Sequence, residues 1–170
     1  MSSVDGRLID SRWTAPYQAE HGELLKVYSA IGKELDTDAW MFGKNTLRAL
    51  FPYKFGITGH GISPDTPTLF VGERRSARLF IACDPEGDLY FTSTTVRGDN
   101  ILVIVGRNVT EEYLAHLREL RISYVIVSDA TRLREGLETV GRTFGIRCIS
   151  VQGGGILNGA LLAERLIDEL

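Results

Sequence analysis

The sequence predicts an α/β fold: a mostly parallel central sheet with helices on both faces. Three observations carry that reading. Short apolar runs alternate along the chain with longer stretches of helical periodicity. Several of the runs are apolar at every position, as strands covered on both faces require. The runs and the periodic stretches are separated by glycine, proline and aspartate at turn positions. A strand–helix–strand–helix order of this kind builds a parallel sheet with helices packed on it.

The elements follow in order. Tyr17 to Leu35 carries Leu24, Leu25, Tyr28 and Ile31 at helical spacing. Ala39-Trp40-Met41-Phe42 is a buried strand ended by Gly43. Pro52 to Arg78 holds much of the Gly and Pro, has no clear period, and reads as a long loop or irregular insertion near a binding cleft. Ala77–Cys83 is a strand, Asp84-Pro85-Glu86-Gly87-Asp88 a turn and Leu89-Tyr90-Phe91 a return strand. Ile101–Val105 is a continuously apolar strand; Tyr124–Val127 and Arg147–Val151 are similar. Thr110 is the N-cap of a helix whose apolar stripe includes Tyr113, Leu114, Leu117 and Leu120. Thr131 to Phe144 is a further helix, stopped by Gly145 as a left-handed C-cap. Ile156 to Leu170 is the last, with Leu157, Ala160, Leu161 and Leu166 near one stripe.

At 170 residues the chain reads as one domain, 1–170. It opens on Ser2-Ser3-Val4 without a preceding strand body and closes on Asp168-Glu169-Leu170 straight after a helix. A sheet of this kind ordinarily continues at both points, so the domain is expected to be truncated at both ends. Hydrophobic residues make up 44% and charged residues 24%, the balance of an ordinary globular protein. The net charge of −3 and the scattered arginines give no electrostatic footprint for nucleic acid or an anionic membrane. The N-terminus has no secretory pattern and the apolar runs are too short to span a bilayer, which predicts a cytoplasmic protein. Cys83 and Cys148 lie far apart with no CxxC spacing, so reduced thiols are expected and no metal site. His21, His60 and His116 stand in unlike contexts, as surface or loop residues, and no Ser-His-Asp set or cysteine nucleophile emerges.

Chemistry is concentrated where strands turn into helices. Gly153-Gly154-Gly155 follows the strand ending at Val151 and opens the helix through Ile156, Leu157 and Asn158. Glycines admit positive φ and let a ligand reach the backbone. A helix start aims unpaired N–H groups at that spot, and an exposed anion gains about 0.3–1 kcal/mol from the dipole. A pyrophosphate suits such a place. The triple glycine is not a GxGxxG fingerprint, and a plain tight turn is the competing reading. Gly43-Lys44-Asn45-Thr46 repeats the pattern, with Lys44 and Thr46 placed to hold a phosphate; an ordinary capped turn is again the alternative. Two such starts on one sheet can hold two phosphates of one long ligand. Asp5-Gly6 reads as a turn after a strand, and Trp13 as a core residue or a cover for a cofactor ring.

These motifs stand in a familiar order. Ser3-Val4-Asp5-Gly6-Arg7, Ser11-x-Trp13, Gly43-Lys44-x-Thr46, Gly153-Gly154-Gly155 and Leu166-Ile167-Asp168-Glu169-Leu170 together resemble the reductase domain of riboflavin biosynthesis, in its stand-alone branch. Glu112-Tyr113-Leu114 through Ser123-Tyr124 and Phe144-Gly145-Ile146 extend the similarity along nearly the whole chain. No zinc-deaminase signature accompanies it. The resemblance implies a dihydrofolate-reductase-like fold, NADPH as cofactor and a ribosylamino-pyrimidine or related small heterocycle as substrate. It implies that Gly153, Gly154, Gly155, Ile156, Leu157 and Asn158 face the cofactor phosphates, that Gly43 also binds the cofactor, and that Lys44 and Thr46 help at the adenosine end, where a 2′-phosphate could sit. Val105 and Gly106 would border the adenine, Trp13 would contact the cofactor and Ser11 the substrate. Asp5 and Gln152 are the candidates beside the hydride acceptor. A homodimer is expected by analogy. The sequence departs from the family in having Gln152 where Glu is usual and Leu50 at an acidic position; the family's substrate-contacting lysine falls before Met1. Those departures leave two alternatives: a nucleotide-binding module without turnover, and a reductase of a pterin or carbonyl compound.

Overall fold

A computed structural model describes residues 21–48, 51, 61–129 and 132–169. The chain divides into two compact units, Met1–Asp36 and Thr37–Leu170. In the first, α1 (His21–Glu34) carries Glu23 in its first turn, where a carboxylate favours the helix dipole. Val27, Ile31 and Leu35, one turn apart, are about half exposed. The part of the expected helix before residue 21 lies outside the described residues.

The second unit is the expected α/β sheet. In chain order it holds β1 (Ala39–Gly43), α2 (Lys44–Leu47), β2 (Leu69–Phe70), β3 (Leu79–Cys83) and β4 (Thr95–Val96). There follow β5 (Asp99–Gly106), α3 (Glu111–Glu119), β6 (Ser123–Val127), α4 (Leu133–Phe144), β7 (Ile149–Val151) and α5 (Gly155–Ala163). The strands form one sheet in the order β2-β6-β5-β3-β1-β7, with β4 hairpinned onto β5. The pairs β1–β3, β1–β7, β3–β5 and β5–β6 are parallel; among the described strands only the short β2 and β4 run antiparallel to their partners.

Alternation along the strands builds two cores. Met41, Leu79, Ile81, Leu102, Ile104 and Val125 face α4 and α5, where Leu133, Val140, Phe144, Leu157 and Leu161 meet them. Phe80, Ala82, Val103, Val105, Tyr124 and Ile126 face the other way, onto Leu47 of α2 and Tyr113, Leu114 and Leu117 of α3. Strands covered on both sides have no polar face to show, which is why β3 and β6 are buried at every position.

Helix ends follow the expected capping chemistry. The Thr110 side chain accepts from the Tyr113 N–H, and Gly145 ends α4 at φ +70. Glu164, just past α5, accepts from the Leu133 and Arg134 N–H groups at 2.9 and 3.0 Å and so caps α4 from outside. The last helix is shorter than its periodicity predicts. It stops at Ala163 because Arg165 takes φ +54 and the Leu166 N–H closes back on the Leu161 carbonyl. That turn sends Leu166 and Ile167 onto the α4/α5 core instead of along a continuing helix.

One further expectation is corrected, and the irregular insertion is placed only in part. Leu89–Phe91 forms no return strand. Its polar groups go elsewhere: the Leu89 N–H to the Asp84 carboxylate at 2.8 Å, and the Phe91 carbonyl to His116 Nε2 at 2.8 Å. The described part of the irregular insertion, 61–78, contains β2 and runs down the β6 edge to the amino ends of the strands. There the Ser123 hydroxyl accepts from the Gly72 N–H, Asn100 Oδ1 accepts from the Arg75 and Ser76 N–H groups, and Arg74 donates to the Phe144 carbonyl. Residues 69–76 thus brace the end of the sheet away from the cleft described below, whereas Gly61 stands against the Arg107 carbonyl, just past the carboxyl end of β5; 52–60 lies outside the described residues. Among the described residues no helix is long and apolar enough to cross a membrane.

Asp38 joins three strands at that amino end. Its carboxylate accepts from the Arg147 and Cys148 N–H groups at 2.8 and 3.0 Å, and its carbonyl from the Leu79 N–H at 3.0 Å. The hydrogen bonds from Arg147 and Cys148, helped by nearby arginines, hold the carboxyl below its ordinary value. A lowered carboxylate contributes stability that is present above its unfolded value and lost as pH falls through the folded one. Melting temperature should therefore drop more steeply in the wild type than in Asp38→Asn as pH falls below the ordinary aspartate value of about 3.9, since asparagine accepts the same bonds without titrating. Parallel curves in a pH series of thermal melts would remove this role.

Candidate active site

The sheet changes direction at β1. From β1 the chain moves through β3 and β5 to β6, then returns by α4 to place β7 on the other side of β1. The helix after β1 covers one face and the helix after β7 the other. The carboxyl ends of β1 and β7 therefore diverge into helices on opposite faces and leave a crevice, the place where open parallel sheets bind ligands.

Glycine brings the two strand ends close enough to join. The Gly43 N–H donates to the Gly153 carbonyl at 2.8 Å. A Cβ at Gly43 would sit 3.2 Å from Leu157 Cβ, closer than side chains ordinarily pack, and 3.5 Å from the Gly153 carbonyl, so the close junction favours a bare Cα. Gly153 has φ +80, and the Gly153–Gly154 peptide is cis. Gly154 is the N-cap of α5 and offers no side-chain bond. The first helical bond runs from the Asn158 N–H to the Gly154 carbonyl at 3.0 Å. The N–H groups of Gly155, Ile156 and Leu157 consequently have no acceptor within the helix and face outward at its positive end.

A cleft of about 320 Å³ opens there. Gly43, Lys44, Asn45 and Arg48 form one wall, and Gly154, Gly155, Ile156 and Leu157 another. The floor is the carboxyl ends of the inner strands, with Cys83, Ile104, Val105 and Val127. The Cys83 thiol is buried, which pushes its pKa far above the usual thiol range and leaves it a packing group, not a nucleophile.

The third wall is the turn after β3, with Pro85 and Glu86 on the cleft. Asp84 organises it from below. This fully buried carboxylate accepts from the Asp88 N–H at 3.1 Å, the Leu89 N–H at 2.8 Å and the Tyr113 hydroxyl at 2.7 Å. Burial pushes its pKa up, against the three hydrogen bonds that favour its charged form. Burial and the adjacent Asp84 raise Tyr113 well above its ordinary value, so its hydroxyl stays a donor. The Pro85 carbonyl accepts from the Gly106 N–H at 2.9 Å, fixing the turn to the end of β5. Above the turn, Lys44 Nζ lies 2.6 Å from Glu86 Oε2 and 2.7 Å from Asp88 Oδ2. Burial disfavours the ammonium, but the bonds to Asp88 and Glu86 outweigh it and raise its pKa overall.

A triple-glycine helix start against the Gly43–Lys44 turn, on a mostly parallel sheet, is the arrangement the sequence resemblance implies. The chain belongs to the RibD C-terminal domain family. The family's model matches residues 1–170, the whole length. It is a family of riboflavin-pathway-type reductases with the dihydrofolate-reductase-like fold. No curated protein matches the chain.

Of the residues singled out in the sequence, Gly43, Lys44 and Val105 line the cleft together with Gly154, Gly155, Ile156 and Leu157. Thr46, Gly106, Gly153 and Asn158 stand beside it without forming its walls: Thr46 Oγ1 is 3.5 Å from where a Cβ on Gly154 would sit, and the Asn158 amide 3.7 Å from the same point on Gly153. Gln152 does not line the cleft. Its backbone N–H donates to the Met41 carbonyl at 2.8 Å and its amide to the Ser150 hydroxyl at 2.5 Å. Asp5, Ser11 and Trp13, like Leu50, lie outside the described residues. Sequence reasoning missed Arg48, Cys83, Pro85 and Glu86. Arg48 had a signal, standing four residues after Lys44 and so on the same side of a helical turn. The other three depend on β1 pairing with β3, which sets Gly43 opposite Cys83.

The Asp84 arrangement can be tested apart from any ligand. Tyr113→Phe removes one of three donors from a buried carboxylate and should cost about 1–3 kcal/mol, read as a lower urea midpoint with an unchanged slope. A midpoint equal to wild type would show that the hydroxyl contributes nothing.

Proposed function

We propose that the chain is a single reductase domain over residues 1–170 that binds NADPH in the cleft between β1, β3, β5 and α5 and reduces an opened ribosylamino-pyrimidine or a related small heterocycle. One observation supports the reading above the others: the Gly43 N–H to Gly153 carbonyl bond, which sets two bare strand–helix turns on a single cleft. The donor set suits a dinucleotide. The N–H groups of Gly155, Ile156 and Leu157 fit a diphosphate at the start of a nine-residue helix. Helix α2 has only four residues, so at the adenosine end the side chains of Lys44 and Thr46 and the backbone of Val105 and Gly106 carry the binding.

When bound, the reduced nicotinamide supplies the hydride. The chain's own task is to hold two rings in register and to keep water from the reacting face. The aliphatic floor, Ile104, Val105 and Val127, would suit an apolar ring face. Asp5 is the proposed proton source or its orienter, since Gln152 has no proton to give at neutral pH. Ser11 is proposed to contact the substrate and Trp13 the cofactor. The proposed working form is a cytoplasmic homodimer.

A binding module without turnover is the second reading, favoured by the Gln152 amide being engaged with Ser150 instead of lining the cleft. Steady oxidation of NADPH with a pyrimidine substrate excludes it. The binding claim is tested with Gly155→Val. A Cβ at Gly155 meets nothing within 4 Å, so the fold should keep its melting temperature. The branched side chain then crowds the N–H groups at the helix start, and NADPH affinity should fall at least about tenfold, roughly 1.4 kcal/mol. Equal NADPH titrations for wild type and variant would defeat the proposal.

A further inference from the structure

The cleft has an uneven charge at its Lys44 wall. Lys44 does not face it as an isolated cation: Glu86 and Asp88 both hold its ammonium, at 2.6 and 2.7 Å. Glu86 itself lines the cleft and is 45% exposed at the side chain, whereas Asp88 is 14% exposed and stands behind. The three groups together carry one positive and two negative charges. Among the described residues, Arg48 at the same wall is the other cation lining the cleft. The carboxylates cannot readily swing away with their backbone. The Asp84 carboxylate holds the Asp88 N–H, the Gly87 N–H closes onto the Asp84 carbonyl at 3.1 Å, and the Pro85 carbonyl is tied to Gly106.

A ribose 2′-phosphate carries a charge of about −1.5 to −2 at neutral pH. To use Lys44 it must either displace Glu86 from the ammonium or approach with that carboxylate at hydrogen-bond range of the same nitrogen. A ribose 2′-hydroxyl meets no such penalty, since a carboxylate accepts its hydrogen bond, as an acidic side chain does for the phosphate-free cofactor in Rossmann-type dinucleotide sites. With Lys44 at the adenosine end, as proposed above, the choice between the two cofactors would fall where Lys44 and Glu86 meet.

Resting on the reading that this cleft holds a reduced nicotinamide dinucleotide, we propose that Glu86, backed by Asp88, is a specificity-determining residue that cancels the preference for a 2′-phosphate, so that NADH is accepted nearly as well as NADPH. Glu86 acts by occupying Lys44 and by presenting an acceptor to the ribose hydroxyl.

The test is a set of equilibrium titrations of NADPH and NADH against the full chain, followed by turnover with each. In the wild type the two dissociation constants should lie within about tenfold of one another. Glu86→Gln keeps the size and the surface position but removes the charge. It should tighten NADPH by about five- to tenfold and leave NADH within about twofold. A wild-type preference for NADPH above about a hundredfold overturns the proposal without any variant. So does a Glu86→Gln protein of unchanged melting temperature whose two affinities match wild type; in either case the cleft still binds the cofactor. Binding of neither dinucleotide defeats this proposal and the functional reading together.

Discussion

The geometry of the site depends on one backbone contact, the Gly43 N–H on the Gly153 carbonyl. It occurs where β1 and β7, parallel neighbours through Met41 and Val151, stop being strands. Beyond that point each chain turns toward a different face of the sheet. A side chain on Gly43 would press against Leu157, so the closeness is a property of composition as much as of topology. The bare N–H groups of α5 owe their orientation to this junction, and the Lys44 wall begins at its other end.

The second support is polar and lies inside the core. Asp84 is wholly buried at the end of β3, and its carboxylate gathers the Asp88 and Leu89 N–H groups and the Tyr113 hydroxyl. Burying a charge is costly unless each lone pair has a donor. Here the donors come from the turn itself and from α3 across the sheet face, so the turn is positioned against the α2/α3 core. Glu86 reaches the cleft because the residues on either side of it are held below. A surface ion pair such as Lys44–Glu86 would contribute little by itself; on a turn anchored in this way its position is set, and position is what a ligand reads.

Much of the architecture was legible because it rests on local pattern. Strands such as Leu79–Cys83 and Ile101–Val105 announced themselves as unbroken apolar runs, and Thr110 and Gly145 marked helix ends through side-chain and backbone chemistry that needs no partner. The triple glycine and Gly43 stood out for the same reason. What stayed hidden was set by distant partners. Leu69–Phe70 is too short to show a period and is a strand only because β6 lies beside it. Leu89–Phe91 has the composition of a strand, but its N–H and carbonyl are taken by Asp84 and His116. The early end of α5 follows from the conformation of Arg165, a residue with no reputation for stopping helices. Pro85 and Glu86 read only as a turn, since nothing local to them tells which strand end they will face.

The cap that Glu164 places on α4 gives the last third of the chain an unusual dependence. The residue that completes the start of one helix is made some thirty positions later, at the close of another. Helix α4 thus emerges during synthesis with its leading amides uncovered, and gains their acceptor only when α5 has formed and docked on the same face of the sheet. Two helices that never follow one another directly are in this way committed to assemble as a pair. Loosening the glycine loop would therefore be felt at the far end of α5 and, through Glu164, at the first turn of α4.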